Sequence, residues 1–476
     1  MDCCNVDTEK KFDLIIIGGG SAAFAASIHA DGMKLSTLMI NGGLPFGGTC
    51  VNVGCVPSKF LIRAAESIHH ATASNFNGVT TGKPTINFAE IIKQKTALVH
   101  DMQQHKYMDL LPGLAHLKVI EGNAKFIERN IVEVNGELYE GTKIIIATGA
   151  TTLIPEINGI NDVPYLTSTT LFELEKQPQS LIILGAGYIA LEIAQAYHRM
   201  GTKVTIIQRS KSILSKEAKD VTDELEKHLI AEGITIHTGT TVNKVWKEAA
   251  NIKLSYTTEN NETEAIESTH IVIATGTKGN TENLGLEKLS IETTERGLIK
   301  VDELLRTSAE NIFAIGDVTT NPPFVYTAAY EGGKAVVNAF NEHHKEADFS
   351  VLPWVVFTNP QVAGVGMDER EAEQKGIPHQ VTVFYLKDIP RSIVALDTRG
   401  FIKLIRNPEN DLLLGARIVA PEGGELLMQL SLMIKYKIPL KEIVGMFHPY
   451  LTLSEGVKLA VMSFTTDVKK MSCCAS

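Results

Sequence analysis

An α/β fold with two dinucleotide-binding βαβ units and a separate carboxyl-terminal α+β domain is predicted by three observations. Residues 12–17, FDLIII, form a continuous apolar run of the kind buried on both faces of a parallel sheet, and GGGSAA follows at once to open a helix. The same order returns at 181–208, where LIIL leads into GAGYIALEIAQAYHRMG and then into KVTIIQ. From about residue 351 the pattern changes to short strands (VVFTN, VTVFYL, GFIKLIR, LLLGARIV) alternating with a helix, EGGELLMQLSLMIKY.

In the first unit, Gly18 supplies the tight turn, Gly20 the close approach to a pyrophosphate, and Ala23 the small residue between helix and strand. The second strand of that unit ends TLMIN, so Asn41 stands where an acidic residue ordinarily holds the adenosine ribose; its amide still accepts from a hydroxyl. Residues 66–110 read as mostly helical and carry no functional signature. Further apolar strands end in a shared signature, KIIIATGA at 143–150 and HIVIATGT at 270–277, and a third, NIFAIGDV, lies at 311–318. The second fingerprint is Gly185, Gly187 and Ala190, and a fingerprint that repeats between strand and helix argues for two nucleotide cofactors. Its second strand ends in Gln208 and Arg209, with Lys211 nearby; a neutral-then-basic pair accepts a 2′-phosphate and favours NADPH.

The chain has 476 residues, 44% hydrophobic and 21% charged, which fits two to four globular domains. A net charge of −10 argues against a nucleic-acid or anionic-membrane partner, since either needs a basic footprint. The apolar stretch LIIIGGGSAAFAASI is glycine-rich and too short to span a bilayer, so a cytoplasmic location is expected. Only six cysteines occur, in the close pairs Cys3/Cys4, Cys50/Cys55 and Cys473/Cys474. They are too few for a secreted disulfide scaffold. The middle pair sits in GGTCVNVGCVPSK, at what reads as a helix start, where two thiols can close a disulfide or ionise, with Lys59 as a charge partner. A buried pair or half of a metal site are the other readings of those residues, though no second ligand pair stands at metal spacing.

GGTCVNVGCVPSK, the two fingerprints, IIATGA and IFAIGDV together resemble the flavin-dependent pyridine nucleotide–disulfide oxidoreductases, over residues 12–476. The resemblance implies two Rossmann-like domains, for FAD and NADPH, and a carboxyl-terminal dimerisation domain. Its divisions are a tail at 1–11, FAD-binding parts at 12–155 and 278–350, an NADPH-binding domain at 156–277, and a dimerisation domain at 351–476. Gly18, Gly20 and Ala23 would hold the FAD pyrophosphate, Asn41, Gly48 and Thr49 would add cofactor contacts, and Asp317 would bind the ribityl chain. Cys50 would be the interchange thiol and Cys55 the thiol against the flavin, with Lys59 near the flavin N5 and paired to Glu192. Tyr188 resembles the aromatic gate displaced by nicotinamide, and Gly185, Gly187 and Arg209 would bind NADPH.

Disulfide-reducing members carry HPTxSE, whose His is the base. Here HPYLTLSE places Tyr450, not a His, five residues before Glu455. A phenol is a poor proton shuttle near neutral pH but can donate a hydrogen bond beside a thiolate-bound metal. With the SCC tail, this resembles the catalytic core of the mercuric reductases within the family. That resemblance implies a homodimer in which Cys473 and Cys474 of the partner subunit pass Hg²⁺, received as a thiol complex, to Cys50 and Cys55. A thioredoxin or other dithiol–disulfide reductase with a cysteine-pair shuttle is the alternative.

Overall fold

The computed structural model describes residues 8–72 and 74–467. Cys3, Cys4, Cys473 and Cys474 lie outside the described residues. The first sheet runs in the order 117–121, 37–41, 11–17, 137–146, 131–134, 125–128, and Ile312–Ala314 pairs with Glu137–Ile146. Its central strand, Lys11–Ile17, pairs in parallel on both sides, Ile15 facing Leu38 and Ile144, and Leu14 to Ile17 are at most 3% exposed. That two-sided burial is why the run is unbroken by polar residues. The helix Ser21–Gly32 crosses Val325–Phe340 so closely that a Cβ on Gly332 would come 2.6 Å from the Ala22 carbonyl oxygen. Small residues on both helices permit the contact.

A second, all-parallel sheet has the order 235–237, 203–207, 180–184, 270–273, 165–167. The chain passes between the two sheets through Ala150–Thr152 and Thr277–Gly279, which pair antiparallel with each other. A third sheet, antiparallel, has the order 354–356, 361–366, 412–420, 401–407, 380–385, with Leu427–Lys435 packed on it and Leu453–Met462 beside its far strands. It is tied to the second-sheet region by ion pairs: buried Lys403 reaches Asp220 at 2.8 Å and Arg417 reaches Glu217 at 2.9 Å, while Lys403 also meets Glu369 of its own region at 2.7 Å.

Several elements differ from the sequence expectation. The strand expected at 311–318 ends at Ala314, because Gly316 takes φ +71° and a 3₁₀ turn, Gly316–Val318, follows. The helical stretch at 66–110 is two helices, Cys55–Thr72 and Phe88–Lys106, the second capped by the Asn87 side chain accepting from the Glu90 N–H at 3.2 Å. A three-stranded antiparallel sheet, Thr241–Glu248, Asn251–Thr257 and Thr263–Ser268, adds to the second region. No helix among the described residues is long and apolar enough to cross a membrane.

Candidate active site

Two left-handed glycines, Gly47 at φ +93° and Gly48 at φ +59°, turn the chain into the short helix Gly48–Val53. The Gly47 N–H donates to the Gly19 carbonyl at 2.8 Å, and a Cβ on Gly48 would meet Gly20 Cα at 2.8 Å. This cradle seats the cysteine segment directly on the first fingerprint. Asn52 fixes it further by donating to the carbonyls of Pro45, Phe46 and Gly48. Cys50 lies in that helix, Gly54 breaks it, and Cys55 is the first residue of Cys55–Thr72.

Both thiols are reduced and half-buried. The Cys50 thiol hydrogen-bonds the Cys55 sulfur, which favours the Cys55 thiolate; burial opposes ionisation, Lys59 assists it, and the Cys55 value falls to about 7. The same hydrogen bond, with burial, pushes Cys50 far up. The hydrogen bond thus favours a thiol at Cys50 donating to a thiolate at Cys55. Tyr107 stands close enough to feel both sulfurs; burial raises its phenol first, and its hydroxyl lies 3.2 Å from Ser21 Oγ.

One turn along the second helix of this segment, Lys59 Nζ lies 2.7 Å from Glu192 Oε2 and 4.6 Å from the centroid of Phe357. Glu192 is buried, and its other oxygen accepts from the Phe357 N–H at 2.9 Å. Tyr188 opens the same helix, Tyr188–Arg199, one turn before Glu192, and is half-buried.

The nucleotide cradles fit their ligands. A Cβ on Gly18 or on Gly185 would run into the carbonyl of Ala147 or Ala274, so each tight turn requires glycine. Around Gly187, at the mouth of its helix, nothing lies within 4 Å of a Cβ position, which leaves room for a pyrophosphate. Ala23 is fully buried between helix and sheet. The buried Thr148 Oγ1, at the end of the strand Glu137–Ile146, has no partner among the described residues. Asp317 is largely buried, which raises its carboxyl, and it makes no hydrogen bond to the described residues. Both are donor or acceptor groups left for a ligand. Asn41 donates to the Leu44 carbonyl at 3.1 Å while Gly19 passes close to its Oδ1. Thr49 and Arg209 are exposed, and Gln208 donates to the Ser212 carbonyl at 3.3 Å.

Sequence reasoning missed Glu331, which is fully buried and accepts from the Gly316 N–H at 2.5 Å and from Asn321 Nδ2 at 2.8 Å. It pins the turn that carries Asp317, and burial pushes its carboxyl up to about 7. Tyr450 precedes the helix Leu453–Met462 and is 49% exposed, on a strip with exposed Met446, Phe447 and Leu451. Glu455 accepts from the Leu451 N–H at 3.1 Å and so shapes the turn beside it. Among the described residues, no three His, Cys, Asp or Glu side chains gather as a metal site.

Residues 12–332 match the pyridine nucleotide-disulphide oxidoreductase family, and residues 352–461 match its dimerisation domain. The chain belongs to this family. As a pyridine nucleotide-disulphide oxidoreductase with that second domain, it is a homodimer that uses FAD and NADPH. It is 41% identical to a mercuric reductase of Lysinibacillus sphaericus over 98% of this chain and 85% of that one, and 39% identical to a mercuric reductase of Staphylococcus aureus with the same coverage. Among solved structures, it is similar to the HOCl-induced flavoprotein disulfide reductase RclA from Escherichia coli, with TM-score 0.84 and 28% identity over 95% of this chain and all of the other.

Proposed function

We propose that this oxidoreductase is a mercury(II) reductase. The observation that carries the reading is the free Cys50/Cys55 pair, the two sulfurs in hydrogen-bond contact and Lys59 as their nearby charge, in a chain 41% identical to a mercuric reductase over 98% of its length. Hg²⁺ is a soft cation and thiolates are its natural ligands. It arrives as a thiol complex; Cys473 and Cys474 of the partner subunit take it and exchange it onto Cys50 and Cys55. Ligation by both sulfurs releases the proton carried on Cys50, while Lys59, anchored by Glu192, offsets the thiolate charge. FAD, reduced by NADPH, supplies the two electrons that turn the bound ion into Hg⁰. Hg⁰ no longer needs thiolates and leaves, and the freed Cys50 thiolate takes a proton back from solvent, which restores the starting pair. Tyr450 donates a hydrogen bond beside the bound ion, and Tyr188 yields its place to the nicotinamide.

Gly18, Gly20, Ala23, Asn41, Gly48, Thr49 and Asp317 serve FAD in this scheme, and Gly185, Gly187 and Arg209 serve NADPH. The working divisions are 12–155 and 278–350 for FAD, 156–277 for NADPH and 351–476 for dimerisation. A cytoplasmic reaction suits this reading best, because NADPH and small thiols are supplied there. A second reading, a dithiol–disulfide reductase, is favoured by the likeness to RclA. NADPH oxidation measured with Hg²⁺ in excess small thiol, beside thioredoxin and oxidised glutathione, separates the two: turnover only with the disulfides would refute mercury reduction.

A further inference from the structure

Four aromatic rings lie nearly parallel in one row that crosses three parts of the chain. Tyr326 stacks on Phe324 (centroids 5.2 Å, 7° between planes), Phe324 on Tyr188 (6.3 Å, 10°), and Tyr188 on Trp354 (5.9 Å, 4°). The two outer parts are fixed to each other. Tyr326 donates its hydroxyl to the carbonyl of Pro353, the residue before Trp354, at 2.5 Å. Trp354 pairs across its sheet with Gly364, where any Cβ would collide with the indole, and Gly364 in turn pairs with Arg417. The Arg417 guanidinium stands 5.6 Å from the indole centroid, itself held by Glu217 at 2.9 Å and by the Ala416 carbonyl at 3.0 Å.

Tyr188 is different. Its hydroxyl makes no hydrogen bond to the described residues, so the ring is held by its two stacked neighbours and by apolar packing on the buried cluster beside it. A ring gripped only by dispersion and quadrupole contacts leaves without breaking a hydrogen bond, and its grip depends directly on the two partners.

We propose that Trp354 and Phe324 are positioning residues that clamp Tyr188 shut between them, and so set how much NADPH is needed to open the nicotinamide site. The inference rests on the reading of Tyr188 as the gate. A ligand that binds only the open form has its apparent affinity reduced by the open fraction. Losing one of two stacking partners raises that fraction about two- to tenfold. Because Trp354 begins the strand Trp354–Val356 of the dimerisation domain, this clamp makes that domain part of the gate.

The test uses the FAD-loaded dimer mixed anaerobically with NADPH, following flavin absorbance. Trp354→Leu and Phe324→Leu are expected to lower the half-saturating NADPH concentration about two- to tenfold while the limiting rate of flavin reduction stays within about twofold. Trp354→Phe, which keeps a ring, restores the original half-saturation. The chain has two tryptophans, so Trp246→Phe leaves Trp354 as the sole tryptophan, read by tryptophan-selective excitation and emission. Its emission should change on titration with NADP⁺ and stop responding when Tyr188→Ala is added. If the leucine variants misfold, this emission decides. Unmoved half-saturation, or Trp354 emission indifferent to NADP⁺, would overturn the clamp. An unmodified protein whose flavin NADPH does not reduce would refute the cofactor reading, and the clamp with it.

Discussion

Lys59 Nζ and Glu192 Oε2 stand 2.7 Å apart, joining the helix that begins at Cys55 to the helix that begins at Tyr188. The thiol pair and the aromatic ring are therefore registered by one ion pair, anchored again by the Phe357 N–H. Glu192→Ala leaves that N–H and the Lys59 ammonium without their acceptor in a largely buried site, at a cost of about 2 kcal/mol. Denaturant unfolding should show it, with Glu192→Gln losing less because its amide oxygen still accepts.

The Cys55 thiolate gives a pH dependence with a definite sign. Its value is lowered from an ordinary 9.0 to about 7, chiefly by the Cys50 thiol. Stabilisation from that shift is full above 9 and is lost as pH falls through about 7. Alkylation of the reduced protein by iodoacetamide should rise with a midpoint near pH 7. Cys50→Ala removes the largest cause and should carry the midpoint upward.

Glu331 behaves in the opposite sense. Burial raises its carboxyl from 4.5 to about 7, so the folded state is favoured below 4.5 and loses stability as pH rises through about 7. The difference corresponds to about 3 kcal/mol. Glu331→Gln, which keeps an acceptor for Gly316, should gain stability over the unmodified protein at pH 8 and not at pH 4, measured by thermal melting.

Arg209 is exposed just beyond the strand Lys203–Ile207 of the second unit, beside Gln208. Charge-assisted contact to a 2′-phosphate is worth about 2 kcal/mol. Arg209→Ala should raise the KM for NADPH about tenfold or more and leave that for NADH nearly unchanged.

The sequence made some of this legible and not the rest. The strands at 11–17 and 180–184 announced themselves because burial on both faces makes 14–17 and 181–184 unbroken apolar runs. The sheet at 241–268 did not, because its strands are polar-faced and half-exposed. The cysteine motif was plain, yet its spacing did not reveal that Gly54 splits it between two helices and so aims two sulfurs at each other. Glu331, Tyr107 and Trp354 act through contacts 10 to 166 residues away along the chain, which no local pattern records.

Sulfur delivery by the carboxyl-terminal pair has its own signature. Cys473→Ala with Cys474→Ala should slow turnover on Hg²⁺ bound to bulky thiols and leave flavin reduction by NADPH unchanged. A slowed flavin reduction would show the tail to be structural instead.

The central claim, that electrons from NADPH end on mercury, is tested most directly by trapping the volatile metal. With the FAD-loaded dimer, NADPH and Hg²⁺ in excess small thiol under anaerobic conditions, about one Hg⁰ should be evolved per NADPH oxidised, and none from a Cys55→Ala variant. NADPH consumed without Hg⁰, in the presence of Hg²⁺, would contradict the account.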